Sequence, residues 1–317
     1  MKKSYKLALA LSISSLLIAS CSSDSSENTD GKLSVIAAFY PIEFVVSAIG
    51  GDLVSIENMT PPGVEPHDLE LTASQVTRLS QVDLLYSIKG FQPALDEAAT
   101  QSPPGEVIDL LTIDGLNLLQ ATEDSDSHGD EEEGHSDEEE GHGDEEMIND
   151  PHFWLDPKRL VVVANAVAAK FSAIDADNAQ TYESNRSAFV EKLELLDQEY
   201  VTGLQSCERR MIVTSHAAFG YLASAYNLEQ EAIAGLSPDA EPTPKRLNEI
   251  SKEAKADGTT TIFFETLASP KLAKTLADDL KIKAAVLDPV EGVGEGQTYF
   301  SVMESNLSAL RAALSCK

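Results

Sequence analysis

The residues of this chain best equipped for chemistry are its six histidines and the carboxylates around them. His128, His135 and His142 recur every seven residues inside an acidic run without Lys or Arg, Glu123–Glu146. His67, His152 and His216 stand apart, in the turn-like segments GVEPHDLE, DPHFWLDP and TSHAAFGY. Asp288, stopped by Pro289, follows an apolar stretch. Three imidazoles and one carboxylate form a borderline-soft donor set that suits Zn²⁺ in tetrahedral geometry. A zinc hydrolase is the rival chemistry, with Glu265 as its general base. No His-Glu-x-x-His or Gly-x-Ser-x-Gly motif supports it.

The heptad HGDEEEG, HSDEEEG, HGDEE contains no apolar position, so it is neither a coiled coil nor a strand. Residues 122–148 cannot offset the entropy of ordering and are expected to form a disordered acidic loop. Its carboxylates attract a cation and each neutral imidazole supplies one nitrogen. The expected role is accessory metal capture by His128, His135 and His142, fading below an imidazole pKa of about 6.5.

The elements that must position His67, His152, His216 and Asp288 alternate strand and helix. LSVIAAF (Leu33–Phe39), VSIENM (Val54–Met59), DLLYSIK (Asp83–Lys89) and Glu106–Leu111 read as strands, separated by helices from Tyr40, Thr72 and Phe91. Thr72 and Gln75 make a capping box. After Pro157 comes a helix to Phe171, and then a long polar helix over 177–204 with Phe189, Leu193, Leu196, Tyr200 and Leu204 at helical spacing. The βαβα pattern repeats in strands at Arg210–Ser215, Glu229–Ala234, Thr260–Glu265 and Ile282–Leu287, closed by a helix from Tyr299. The predicted fold class is α/β: two lobes, each a parallel sheet flanked by helices, over 33–176 and 205–317, joined by one long linking helix. Ligands of such sheets bind beyond the carboxyl ends of the strands. His67, His216 and Asp288 follow strands and His152 precedes a helix, so all four can converge across a cleft. Trp154, Tyr40 and Phe219 flank them and are expected to pack around the site.

At the N-terminus, Lys2, Lys3 and Lys6 precede a short apolar run, Leu7–Ala19, and then Ile18-Ala19-Ser20-Cys21. This pattern predicts a lipoprotein signal peptide over 1–21, acylation at Cys21, a flexible tether over 22–32, and an exported chain held at a membrane by its lipid. Net charge is −30, with 53 acidic against 23 basic residues, which argues against nucleic acid as a partner and for a cation. Cys207 and Cys316 are either a disulfide, which the exported compartment permits, or two separate buried thiols.

The four segments around His67, His152, His216 and Leu287-Asp288-Pro289, with GLSP (Gly235–Pro238) and FFE (Phe263–Glu265), resemble the zinc-type solute-binding proteins of bacterial ABC importers, ZnuA-like members of cluster A-I. The resemblance covers nearly all of the chain from Leu33. It implies a monomeric binding protein, not an enzyme, that delivers Zn²⁺ to an ABC permease. The implied ligands are His67, His152, His216 and Asp288, with Glu65 or Asp68 competing for the fourth place. Related manganese binders carry glutamate at the position matching His216, and a nitrogen there favours zinc over manganese or ferrous iron. An adhesin role would rest on lipidation alone.

Overall fold

The computed structural model describes residues 31–122 and 147–317. The first lobe holds β1 (Leu33–Ala37), α1 (Tyr40–Gly50), β2 (Val54–Asn58), α2 (Ala73–Leu79), β3 (Leu84–Ser87), α3 (Pro93–Gln101) and β4 (Glu106–Asp109). A short antiparallel pair follows, β5 (Gln120–Thr122) with β6 (Met147–Asn149), and then α4 (Pro157–Ile174). The linking helix is α5 (Ala179–Leu204). The second lobe holds β7 (Met211–Thr214), α6 (Gly220–Tyr226), β8 (Glu229–Ala232), α7 (Pro244–Asp257), β9 (Thr261–Phe264), α8 (Lys271–Leu280), β10 (Lys283–Val286) and α9 (Tyr299–Leu314).

Both four-stranded sheets are wholly parallel, in the orders β2-β1-β3-β4 and β10-β9-β7-β8. The second order is the first read backwards, so each lobe repeats one topology. In each, the chain reverses its direction of sheet growth between its first and third strands, β1/β3 and β7/β9. That is the switch point where open α/β sheets leave a crevice.

Local chemistry explains the elements. β1 and β3 are buried along nearly their whole length because helices cover both faces of the sheet. The Thr72–Gln75 capping box forms, and Thr243 caps α7 with Pro244 in the first turn. Along α5, Tyr182, Phe189, Leu193, Leu196, Tyr200 and Leu204 are buried, against α1 and α4 in the first lobe and α9 in the second. A 26-residue helix spans about 39 Å, enough to link the lobes stiffly. Cys207 and Cys316 form a disulfide that ties the chain just beyond α5 to the end of α9.

Two readings need adjusting. Residues 122 and 147–148, expected in an unordered loop, are paired in β5–β6, because ladder hydrogen bonds satisfy backbone that the side-chain composition leaves unsupported. The helix read from Phe91 begins at Pro93, whose fixed φ suits a first turn. Residues 1–30 and 123–146, including Cys21, His128, His135 and His142, lie outside the described residues. Among the described residues no helix is long and apolar enough to cross a membrane.

Candidate metal centre

Four side chains meet between the lobes: His67, His152, His216 and Glu291. One donor atom from each lies within 4.8 Å of all the others. Glu291 Oε1 is 3.4 Å from His67 Nε2, 3.4 Å from His152 Nε2 and 3.7 Å from His216 Nε2, and the latter two nitrogens are 3.4 Å apart. Zinc–nitrogen bonds of about 2.0–2.1 Å in a tetrahedron put ligand atoms about 3.3–3.4 Å apart. The cluster therefore has the edge lengths of a zinc tetrahedron, or slightly wider. Among the described residues, both Glu291 oxygens and His67 Nε2 are buried without a hydrogen-bond partner, a state that a cation relieves.

Each histidine is aimed by its own local structure. His152 follows Asp150-Pro151, and Asp150 Oδ1 accepts from its backbone N at 2.9 Å and lies 2.8 Å from its Nδ1. Asp150 is itself held by Tyr221, whose hydroxyl donates to the Asp150 carbonyl. His216 leaves β7, and Glu265 leaves the adjacent strand β9, so their side chains meet across the switch point with Nδ1 2.6 Å from Glu265 Oε1. Ser215 donates to the same oxygen. In both pairs the carboxylate accepts from Nδ1–H, which turns Nε2 toward the cluster.

Among the described residues no carboxylate orients His67 through Nδ1. His67 sits in a short 3₁₀ turn, Pro66–Asp68, against the Phe91 ring at 4.3 Å between centroids. Gln92 fixes that turn: its buried amide donates to the Pro66 carbonyl at 3.1 Å and to Thr60 Oγ1 at 2.9 Å, and Thr60 donates to the Ala38 carbonyl beyond β1.

The fourth position differs from the sequence expectation. The structure places Glu291, not Asp288, with the imidazoles. Asp288 has other work: Oδ1 accepts from Val290 N at 2.8 Å and Oδ2 from the Thr266 hydroxyl. Val290 has φ +60°, a left-handed conformation that a β-branched residue resists. Asp288 thus braces a strained turn that points Glu291 into the cluster. The first carboxylate after a strand was the natural choice; Glu291, flanked by Val290 and Gly292, carried no local motif. Glu65 lies beside the cluster but outside it, with Oε1 accepting from His67 N. Asp68 faces Asp239 instead, and a hydrogen bond to that neighbouring carboxyl raises its own. Glu265 partners His216 and is not free to act as a base.

Burial opposes charge on His216, but Glu265 and Glu291 outweigh it and push its pKa up to about 10. His152 is raised in the same way, with burial opposing and Asp150 and Glu291 prevailing. Burial lowers His67 despite Glu291. Glu291 stays well below the carboxylate range, since its three imidazole neighbours overcome its burial. Glu65 is pushed up to about 8 by burial and by the charge of Glu291. The cluster holds one secure negative charge amid imidazoles that trade protons for a cation.

Packing closes the site. Trp154, whose ring lies 5.1 Å from His152, donates from Nε1 to the Pro289 carbonyl at 2.7 Å, and the Tyr299 hydroxyl donates to the Trp154 carbonyl at 2.7 Å. The Tyr40 hydroxyl accepts from Tyr299 N, and Phe219 is buried. These bonds tie the lobes together beneath the cluster.

Two parallel-sheet lobes on a stiff helix, with an enclosed His₃Glu set between them, define a class: two-lobed α/β binding proteins that take up a ligand at the lobe interface. The chain belongs to the ZnuA family, described as the periplasmic zinc-uptake complex component A, whose profile matches residues 35–313. It is 37% identical to the zinc-binding lipoprotein AdcA of Streptococcus pneumoniae over 98% of its own length, and spans 60% of the length of that relative. It is 35% identical to the high-affinity zinc uptake system protein ZnuA of Bacillus subtilis, over 95% of each chain. The Zn(II)-bound ZnuA-like domain of S. pneumoniae AdcA superposes with a TM-score of 0.70 at 33% identity, covering 90% of this chain and 99% of that one.

Proposed function

We propose that this protein binds Zn²⁺ through His67, His152, His216 and Glu291 and delivers it to an ABC import permease, performing no chemistry on it. The observation that carries the reading is the buried His₃Glu cluster with its near-tetrahedral edges and unpartnered donor atoms. Family membership and the zinc named in the relatives support it. On the same reading Cys21 carries the acyl chains that anchor a monomer to a membrane, in a periplasm or at the outer face of the cytoplasmic membrane, and His128, His135 and His142 gather zinc for the site. The test is competition titration of the purified chain with Zn²⁺, Mn²⁺ and Fe²⁺. One tightly held zinc per chain that manganese and iron do not displace, with weaker additional zinc that is lost on deleting 123–146, is the expected result. Displacement of zinc by Mn²⁺ would sink the assignment.

A further inference from the structure

A cavity of about 560 Å³ opens beside the cluster, within the usual size range of small-molecule sites. The ion has no need of it, because four donor atoms within 4.8 Å of one another already surround the ion's place. Of those four residues, His67 alone lines the cavity; its side chain is 11% exposed, while those of His152, His216 and Glu291 are fully buried. The walls combine apolar surface from Phe91, Ile148 and Leu236 with polar groups from Asn149, Ser237 and Lys89. Apolar walls with a few polar groups are the composition of a site for an organic ligand.

Lys89 is the informative residue. It follows β3 at the carboxyl edge of the sheet, and among the described residues its ammonium has no ion pair. Asp109 accepts only from its backbone N, and Asp96 feels its charge at longer range. An ammonium beside a metal site repels a bare dication, in a chain whose net charge of −30 otherwise attracts one. A cation in that position fits a ligand that brings its own negative charge.

We propose that the cavity takes a small polycarboxylate chelator that arrives with the metal and remains after handing it over, one carboxylate paired with Lys89 and another facing His67, the cluster residue that the cavity reaches. The substrate would then be a metal chelate as well as the free ion. This rests on the reading of the His₃Glu cluster as the zinc site. No covalent step is involved; the chelator gives up metal–oxygen bonds as the imidazoles and Glu291 replace them.

Citrate is the probe. The purified wild-type chain is loaded with Zn²⁺ in citrate-free buffer, exposed to citrate, and weighed by native mass spectrometry. The expected species is one chain, one zinc and one citrate. Zinc retention against rising citrate should exceed simple competition by roughly tenfold. Lys89→Glu should abolish the ternary species, while citrate-free zinc affinity stays within about threefold. Leu236→Trp, which fills the cavity while keeping the Lys89 ammonium, should exclude citrate as well. Zinc bound without any retained citrate, or citrate retained equally by Lys89→Glu, overturns the proposal. Absence of zinc binding in citrate-free buffer would instead overturn the metal-site reading beneath it.

Discussion

Replacing Glu291 by glutamine should disarm the site far more than replacing Asp288 by asparagine. Among the described residues Glu291 is the sole carboxylate in the cluster, with Oε1 3.4–3.7 Å from three imidazole nitrogens and both oxygens without a hydrogen bond. With it, a bound dication keeps one net positive charge; with glutamine, it keeps two in a fully buried place. Removing one partner of a buried charge pair costs about 3–5 kcal/mol. At about 1.4 kcal/mol per decade, zinc affinity should fall at least about 100-fold. Asp288→Asn keeps an oxygen for Val290 N and a polar group for Thr266, so it should loosen only the turn behind Glu291. Loss of a supporting residue of that kind costs about 10–100-fold, and the near-isosteric change belongs at the lower end. The assay is titration against a fluorescent zinc chelator at pH 7.5, with the melting temperature of each metal-free variant to confirm folding. An Asp288→Asn variant that loses as much zinc as Glu291→Gln would refute the reasoning and restore Asp288 as a ligand.

Two further outcomes follow from the site. In the metal-free chain, His216 is held up to about 10 and His152 is raised, so each contributes stability below about 6.5, and His216's contribution is lost as pH rises through about 10. Zinc must displace those protons; titration calorimetry near pH 7 in buffers of different ionisation enthalpy should show at least one proton released per zinc, and none released would contradict this. Gly220→Ala would put a methyl carbon 2.9 Å from Asp150 Oδ2, displacing the carboxylate that aims His152, and should weaken zinc binding by about tenfold, measured by the same chelator titration.

The amino-acid sequence alone determined the elements and pointed to three of the four side chains that cluster. Apolar runs of strand length, Thr72–Gln75 and Thr243-Pro244 as helix starts, and the polar periodicity of α5 are all local signals, and local signals survive in one dimension. His67, His152 and His216 were legible because they are the histidines outside the acidic run and stand in loops at element ends. Only the tertiary structure decided the rest. Asp288 and Glu291 are three residues apart on one turn, and which of them faces the cluster depends on the backbone of Val290, on the hydrogen bond from Thr266 and on the pair exchanged with Asn306, residues distant in sequence. Glu265 behind His216 follows from β9 lying beside β7, and the hold of Gln92 on the His67 turn from β3 lying beside β1. Strand neighbours, and the carboxylates that orient imidazoles across them, arise from pairings of non-consecutive segments that leave no spacing signature in the chain.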